Sequence, residues 1–400
     1  MSTVPATKAR LPRAIWALGF VSLLMDVSSE LVHSLLPIFM VTTLGASTTS
    51  LGLLEGLAEG TAAISKMFSG VISDWLGKRK IVAVIGYGLS AITKPFFPLA
   101  HSVEWVFAAR IIDRVGKGIR GAPRDALIGE ITPPELRGAA YGLRQSLDTA
   151  GAFVGPGLAI ALMLIFAGNI RSVYWFATLP AFLCVALLIF GVQEPERKKN
   201  GKVERFVINR HELANLGRPY WSVVLVGSVL TLARFSEAFL ILRAQSVGIS
   251  PTWVPLVVVV MSLVYAFAAY PAGILSDRMD RRFILMIGAG VLILADLVLA
   301  FAPGIWMVIL GVGLWGLHMG LSQGLLATLI ADTTPEEWRG TAFGMFNFIG
   351  GFTLLAASAI AGYLWDKSGP EATFLASAVF TSVAFAGLFV TYLQKRKAAR

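Results

Sequence analysis

The chain has 400 residues, 56% of them hydrophobic and only 14% charged, with a formal net charge of +10. Soluble domains carry about 25% charged residues, so this composition excludes a soluble enzyme or binding module and indicates an integral membrane protein. The basic residues fall mostly between and beyond apolar segments, which ties the positive charge to membrane topology and not to a nucleic-acid partner.

The opening residues, MSTVPATKARLPR, are polar and basic and lead into an apolar segment too long for a secretory leader, with no small-residue cleavage pattern after it. The N-terminus is therefore expected to be kept, on the cytoplasmic side. Segments long enough to cross about 30 Å of hydrocarbon as helix run over 14–41, 48–73, 80–100, 104–128, 137–166 and 172–193. After the polar interval EPERKKNGKVERFVINRHELANLGRP come six more, over 219–245, 252–276, 283–302, 304–330, 340–365 and 372–394. The expected organisation is all-α, with twelve transmembrane helices: an N-terminal six-helix bundle over 1–193, a cytoplasmic linker over 194–218 and a C-terminal six-helix bundle over 219–400. The single cysteine, Cys184, lies in the apolar run AFLCVALLIF, so no intramolecular disulfide or thiolate metal cluster is expected.

One set of loops carries Lys78, Arg79, Lys80, Arg137, Arg281, Arg282 and Arg339, whereas the loops LGASTTS, HSVE, SVGISPTW and APGI carry no Lys or Arg. The positive-inside rule places the basic loops and both termini in the cytoplasm, as in a multi-pass protein of the cell inner membrane. Trp16, Trp105, Trp175, Trp221, Trp253 and Trp306 lie near segment ends, where interfacial anchors belong.

Two motifs recur. GVISDWLGKRK at 70–80 is echoed by GILSDRMDRRF at 273–283, and TPPELRGAAYG at 132–142 by TPEEWRGTAFG at 334–344, at offsets of 203 and 202 residues. Nearly equal offsets at two separate places indicate that the halves are structural duplicates. On these residues the chain resembles the major facilitator superfamily of secondary transporters over nearly its whole length. The family's loop signature GxLaDrxGrkxxl is met by Gly70, Asp74, Gly77, Lys78 and Arg79, and in weaker form by Gly273, Asp277, Arg281 and Arg282. Its fifth-span antiporter pattern gx8Gx3GPxxGG is met by Gly142, Gly151, Gly155 and Pro156, with Ala159 and Ile160 in place of the closing glycines, and its fourth-span motif is approximated by Arg114, Gly118 and Gly121.

The resemblance implies two pseudo-symmetric bundles that rock about a midplane site, in a bacterial exporter of drugs or metabolites. Asp74 is placed to cap the helix beginning near Lys80 and to pair with Arg79, and such a cluster can form in one conformation and break in the other. Asp277 is its counterpart in the second half. Arg124 and Arg144 lie near the same membrane face and are assigned to this latch. Gly151, Gly155 and Pro156 are expected to allow close packing and a helix bend.

Charges inside the apolar segments point to the site itself. Asp26, Glu30, His33 and Pro37 share one helix face, as do Glu55, Glu59 and Lys66; Arg110, Asp113, Arg114, Lys117 and Arg124 form a stripe, and Asp148 lies on the fifth segment. Each charge at mid-membrane costs at least about 2.5 to 3.5 kcal/mol, so these groups are expected to face a polar cavity and one another, with Asp26 or Glu30 paired to Arg110 or Arg114. A carboxylate that changes partners between two open states can load and release a proton. Asp26, Glu30 and Glu59 are the candidates for this, and His33 is a candidate relay. Arg234, His318, Gln323 and Asn347, with Tyr265, are expected to line the opposite wall.

With no GxxxxGKS loop and no His, Cys or Met cluster, neither nucleotide-driven pumping nor a metal site is indicated. The sequence thus indicates a monomeric, cofactor-free and non-enzymatic antiporter, whose partners are protons, a small-molecule substrate and the lipid bilayer. The expected activity is efflux of a small organic molecule, with the basic stripe leaning toward an anion or zwitterion. The same residues could run proton symport into the cell, and a non-transporting receptor or assembly factor of the same fold is the remaining alternative.

Overall fold

A computed structural model describes residues 11–194, 216–335 and 338–398, so most of the expected linker lies outside the described residues. The side chains of Asp74 and Asp277 lie outside them too. The first half begins with α1 (Arg13–His33), which continues through the short α2 (Leu36–Ile38) and a π-helical turn at Phe39–Thr43. It goes on with α3 (Thr48–Leu76), α4 (Arg79–Thr93), α5 (Val103–Ile131), α6 (Arg137–Ile165) and α7 (Ile170–Gly191). The second half holds α8 (Arg218–Ala233), α9 (Ala238–Ser246), α10 (Leu256–Arg278), α11 (Arg281–Ala300), α12 (Ile305–Asp332) and α13 (Arg339–Ala398). Within α13 the backbone turns at Gly369 (φ 87°, ψ 174°), just before Pro370, so it forms two rods.

All twelve apolar segments are helical, and no strand occurs among the described residues. Eight helical stretches are long and apolar enough to cross a bilayer. The shortfall of four is informative: α4 has only 15 residues, the two rods of α13 count as one stretch, and α3 and α5 are long, but charged and small polar residues interrupt them, and those residues build the site. Helix starts follow local chemistry. Ser47 Oγ accepts from the Ser50 N–H, Ser102 Oγ from Trp105, Asn169 Oδ1 from Ser172 and Asp280 Oδ1 from Arg282, satisfying amides that a helix leaves without intrahelical partners.

The apolar core is arranged unevenly along the bundle. At the end bearing the basic loops, each half has its own core: one around Leu18, Tyr87, Ile128 and Leu188, the other around Tyr220, Leu285, Leu329 and Leu388. At the opposite end a single core runs through both halves, joining Leu36, Phe39 and Leu54 to Phe235, Phe239, Trp315 and Ala357. The halves are thus fused at the non-basic end and separate toward the basic one.

Two features tighten the fused end. Asp366, on α13, accepts hydrogen bonds from the backbone amides and hydroxyls of Thr48 and Thr49 at the start of α3, at 2.5 to 3.1 Å. A carboxylate there also complements the positive end of the helix dipole. Just inside, α3 and α13 touch backbone to backbone: a Cβ at Gly52 would lie 2.1 Å from the Ser358 carbonyl oxygen, and one at Gly362 would lie 2.4 Å from that of Thr48. Further toward the basic end the two helices part, and a cavity of about 380 Å³ lies between Lys66 and Met67 on one side and Asn347 and Phe348 on the other.

Candidate functional site

Between the halves, on the inner side of the fused core, lies a cavity of about 340 Å³, at the small end of small-molecule sites. The first half contributes a charged wall of Glu30, His33, Glu55, Glu59, Arg114 and Lys117. The second half contributes Arg234, Ser236, Glu237 and Ser358, with Phe235, Trp315, Met319 and Leu354 as its apolar part.

The charged wall is built from three helices held at close range. On α1, Glu30 and His33 sit one turn apart, and α6 approaches them through glycine: a Cβ at Gly151 would lie 2.8 Å from that of Asp26, and one at Gly155 would lie 2.8 Å from that of Glu30. On α3, Glu55 bonds Arg110 at 3.0 Å and Glu59 bonds Arg114 at 2.9 Å. His33 spans the two carboxylate-bearing helices, with Nε2 3.1 Å from Glu55 and Nδ1 3.6 Å from Glu30.

This corrects the expected pairing of Asp26 or Glu30 with Arg110 or Arg114. The carboxylates that face those arginines come from α3, because α3 and not α1 lies against that part of α5. Asp26 instead lies 3.8 Å from Arg120, whose guanidinium also donates to Ser90 and stacks over the Tyr87 ring at 4.8 Å.

A second layer lies behind the wall. Arg110 and Asp113, expected in the cavity, are 1% and 3% exposed and do not line it. Asp113 binds Lys94 at 2.9 Å, and Lys94 Nζ also donates to Ser29. Neither Lys94 nor Arg120 was among the residues expected at the site. Lys94 is a lone cation in the apolar run AITKPFF, where the insertion cost of charge was the available signal, and Arg120 continues the stripe of Asp113 and Lys117 at helical spacing.

The second half holds a feature that composition does not reveal. The seventh apolar segment is expected to be one helix, yet Arg234–Glu237 leave it between α8 and α9, and this break carries Arg234, Ser236 and Glu237 to the cavity. Its freed backbone groups find side-chain partners. The Ser236 N–H donates to Ser358 Oγ at 3.1 Å, and the Ser377 hydroxyl lies 2.7 Å from the Ala233 carbonyl oxygen. Irregular backbone at membrane depth is tolerated where it lines a cavity in this way.

Other expected positions fall elsewhere. His318 is 1% exposed and lies behind the wall, with Nδ1 2.8 Å from the Gly288 carbonyl oxygen; one position from Met319, it is turned about 100° to face α11 instead. Asn347 lines the second cavity, toward the basic end. Neither Gln323 nor Tyr265 reaches the central wall.

At the basic end, Gly70 approaches Ala122 on α5, and Gly77 closes α3 in the left-handed conformation. Arg79 pairs with Glu130 at 3.1 Å. At the start of α4, Glu194 Oε1 accepts from the amides of Arg79 and Lys80; the capping role expected of Asp74 falls on a side chain outside the described residues. Arg144 pairs with Asp148 at 2.8 Å, and Arg124 bonds Asp125 and Ser22. Pro156 is buried inside α6.

A two-half helical protein with a charged midplane cavity matches one family model twice over. The description is Major Facilitator Superfamily, and the matched residues are 18–244 and 223–400. The chain belongs to this superfamily. An uncharacterised MFS-type transporter of Methanocaldococcus jannaschii is 33% identical over 389 residues, 96% of this chain and 95% of that protein. The quinolone resistance protein NorA of Staphylococcus aureus is 22% identical, covering 97% and 98% of the two chains. Among solved structures, the nucleoside transporter NupG superimposes with a TM-score of 0.81 at 14% identity, over 94% of this chain and 99% of that one, a likeness of fold. As a member of the superfamily, the chain is a multi-pass membrane transporter for small molecules.

Proposed function

We propose that this chain is a proton-coupled secondary transporter that exports a small organic molecule, anionic or zwitterionic, by alternating access across the inner membrane. The observation that carries this reading is His33, held at the cavity wall between Glu30 on its own helix and Glu55 on α3. An imidazole between two carboxylates on separate helices can relay a proton between them, and its partners move apart or together as the helices tilt. Glu30 is the exchanging group in this mechanism. It faces the cavity and, among the described residues, has no arginine or lysine as an ion-pair partner, whereas Glu55 and Glu59 are each held by one.

With the basic loops in the cytoplasm, the separated end of the bundle is the one that admits substrate from inside the cell. Proton binding from outside to Glu30 loosens its hold on His33, and the proton enters as substrate leaves. Asp26, beside Gly151 and Arg120, is a second proton site on the same helix. The likeness to a quinolone resistance protein supports the outward direction.

The test uses everted membrane vesicles with an imposed acid-inside gradient and a pH-sensitive dye. Anions, zwitterions and cations are added to wild type, Glu30→Gln and Asp26→Asn. The expected result is a compound that dissipates the gradient in wild type, with loss of that response in Glu30→Gln. A gradient that no compound disturbs, in vesicles with confirmed insertion, would overturn proton-linked export.

A further inference from the structure

The wall holds charged side chains of both signs that are not tied into an ion pair or side-chain hydrogen bond among the described residues, although opposite charges lie near them across the cavity. Lys117, on α5, is exposed to the cavity and makes no hydrogen bond or ion pair among the described residues. The side chain of Arg234 lines the facing wall, likewise makes neither among the described residues, and its buried Nε has no partner. The carboxylate of Glu237, three residues on in the same break, is also without a hydrogen bond or ion pair among the described residues. All other charges on the wall are engaged: Glu59 with Arg114, Glu55 with Arg110 and His33, and Glu30 with His33.

From this pattern we infer that the cavity is built for a small amphoteric molecule of the amino-acid type: an anionic group on Arg234 and Lys117, a cationic group on Glu237, and an apolar side group against Phe235, Trp315 and Met319. The inference rests on the transporter reading above and adds the substrate class. The guanidinium of Arg234 has the planar fork that a carboxylate meets with two hydrogen bonds. Lys117 adds a mobile point charge from the opposite half, so that a bound anionic group would touch both halves at once.

Charge balance separates this class from a simple anion. With Arg110 included, four carboxylates stand against four fixed cations around the cavity, with His33 between them. A ligand with net charge would upset that balance in a poorly solvated site, whereas a molecule of zero net charge and two charged ends would not. Spacing separates it from a long dipolar molecule: Arg234 and Glu237 lie within one turn of chain, so the opposite charges they recognise are a few bonds apart. Phe235, Trp315, Met319 and Leu354 give the second half an apolar surface, which the charged first half lacks.

The experiment uses the full-length protein in lipid nanodiscs and three matched ligand series built on leucine, phenylalanine and tryptophan. Each series comprises the free amino acid, its amide (a cation) and its N-acetyl derivative (an anion), and binding is read as ligand-induced thermal stabilisation. In at least one series the free amino acid is expected to bind roughly tenfold or more tightly than either singly charged analogue, the size of one charge-assisted contact. Arg234→Gln should bring the amino acid down to the level of its amide, and Glu237→Gln to the level of its N-acetyl derivative. Lys117→Gln, at an exposed and unpaired position, guards against folding failure and should weaken the acid and the N-acetyl compound but not the amide.

A preference for either singly charged analogue, failure of all three series to bind folded protein, or insensitivity to all three substitutions would overturn the amphoteric class. Proton flux in the vesicle assay keeps the two readings apart. If an anion drives flux and no zwitterion does, the substrate class falls and transport stands. If zwitterions bind with this charge pattern but drive no flux, the class stands and proton coupling falls.

Discussion

The two halves descend from one repeated pattern yet treat buried carboxyl groups in opposite ways. In the first half each is answered by a cation, as in the pairs Glu55 with Arg110 and Asp113 with Lys94, all four at 4% exposure or less. In the second half Asp296 is fully buried, and among the described residues it has no cation beside it and Ser377, at 2.5 Å, as its one partner. Ser377 has one hydroxyl proton for two acceptors, Asp296 and the Ala233 carbonyl oxygen. Both contacts are satisfied when Asp296 is itself a proton donor, that is, a neutral acid. Duplicated scaffolds can therefore diverge into a half that carries fixed charge and a half that holds a shaped break.

If that contrast is real, the largest effect comes from stranding a cation in the first half. Asp113→Asn leaves Lys94 buried without its counter-ion, and a loss of about 3 to 5 kcal/mol is expected, read as a lower unfolding temperature in detergent. The double variant Lys94→Met with Asp113→Leu should recover most of it, because apolar residues of similar size often replace a buried ion pair without loss.

Next is the seam between the halves. Asp366→Asn weakens hydrogen bonds to a charged acceptor worth about 1.5 to 3 kcal/mol and should open the fused end. A cysteine placed at Ala46, buried in the fused core, would then react faster with a membrane-impermeant maleimide, and unchanged labelling would sever Asp366 from the closure of that end.

In the second half, Ser377→Ala removes the shared partner of Asp296 and the Ala233 carbonyl oxygen, with an expected loss of about 1 to 3 kcal/mol and weaker ligand binding at the Arg234 break. The smallest effect is predicted for the carboxyl group itself. Asp296→Asn should change stability by less than about 1 kcal/mol, since a neutral amide can replace a neutral acid without stranding any charge. A drop as large as that of Asp113→Asn would show that Asp296 is ionised and would erase the contrast.

Much of the architecture was legible before any coordinates. Apolar length located every helical segment, the paired offsets exposed the duplication, and the insertion cost of charge drew attention to Asp26, Glu30, His33, Glu59, Arg114 and Lys117. The last five all face the cavity from the first half, together with Glu55. Spacing along one helix says which residues share a face, but not which helix lies opposite that face, so the partners of Arg110 and Arg114 were misassigned to α1. The break at Arg234–Glu237 left no trace because neither proline nor glycine marks it; serines on α13, more than a hundred residues away, hold it open. His318 looked like a wall residue by alignment, whereas a single helical step turned it into the packing against α11.

The glycine contact between α3 and α13 has a mechanical consequence. Where Gly52 meets the Ser358 carbonyl group, neither α3 nor α13 puts a side chain between the two backbones, so the two helices can roll on each other there without first unpacking. That contact is a fulcrum near one end of a long lever. With 29 residues, α3 is about 43 Å long, and a tilt of about 10° around its Thr48 end swings the Leu76 end through roughly 7 Å. A movement too small to disturb the fused core is thereby magnified, at the far end, into a gap wide enough for a metabolite.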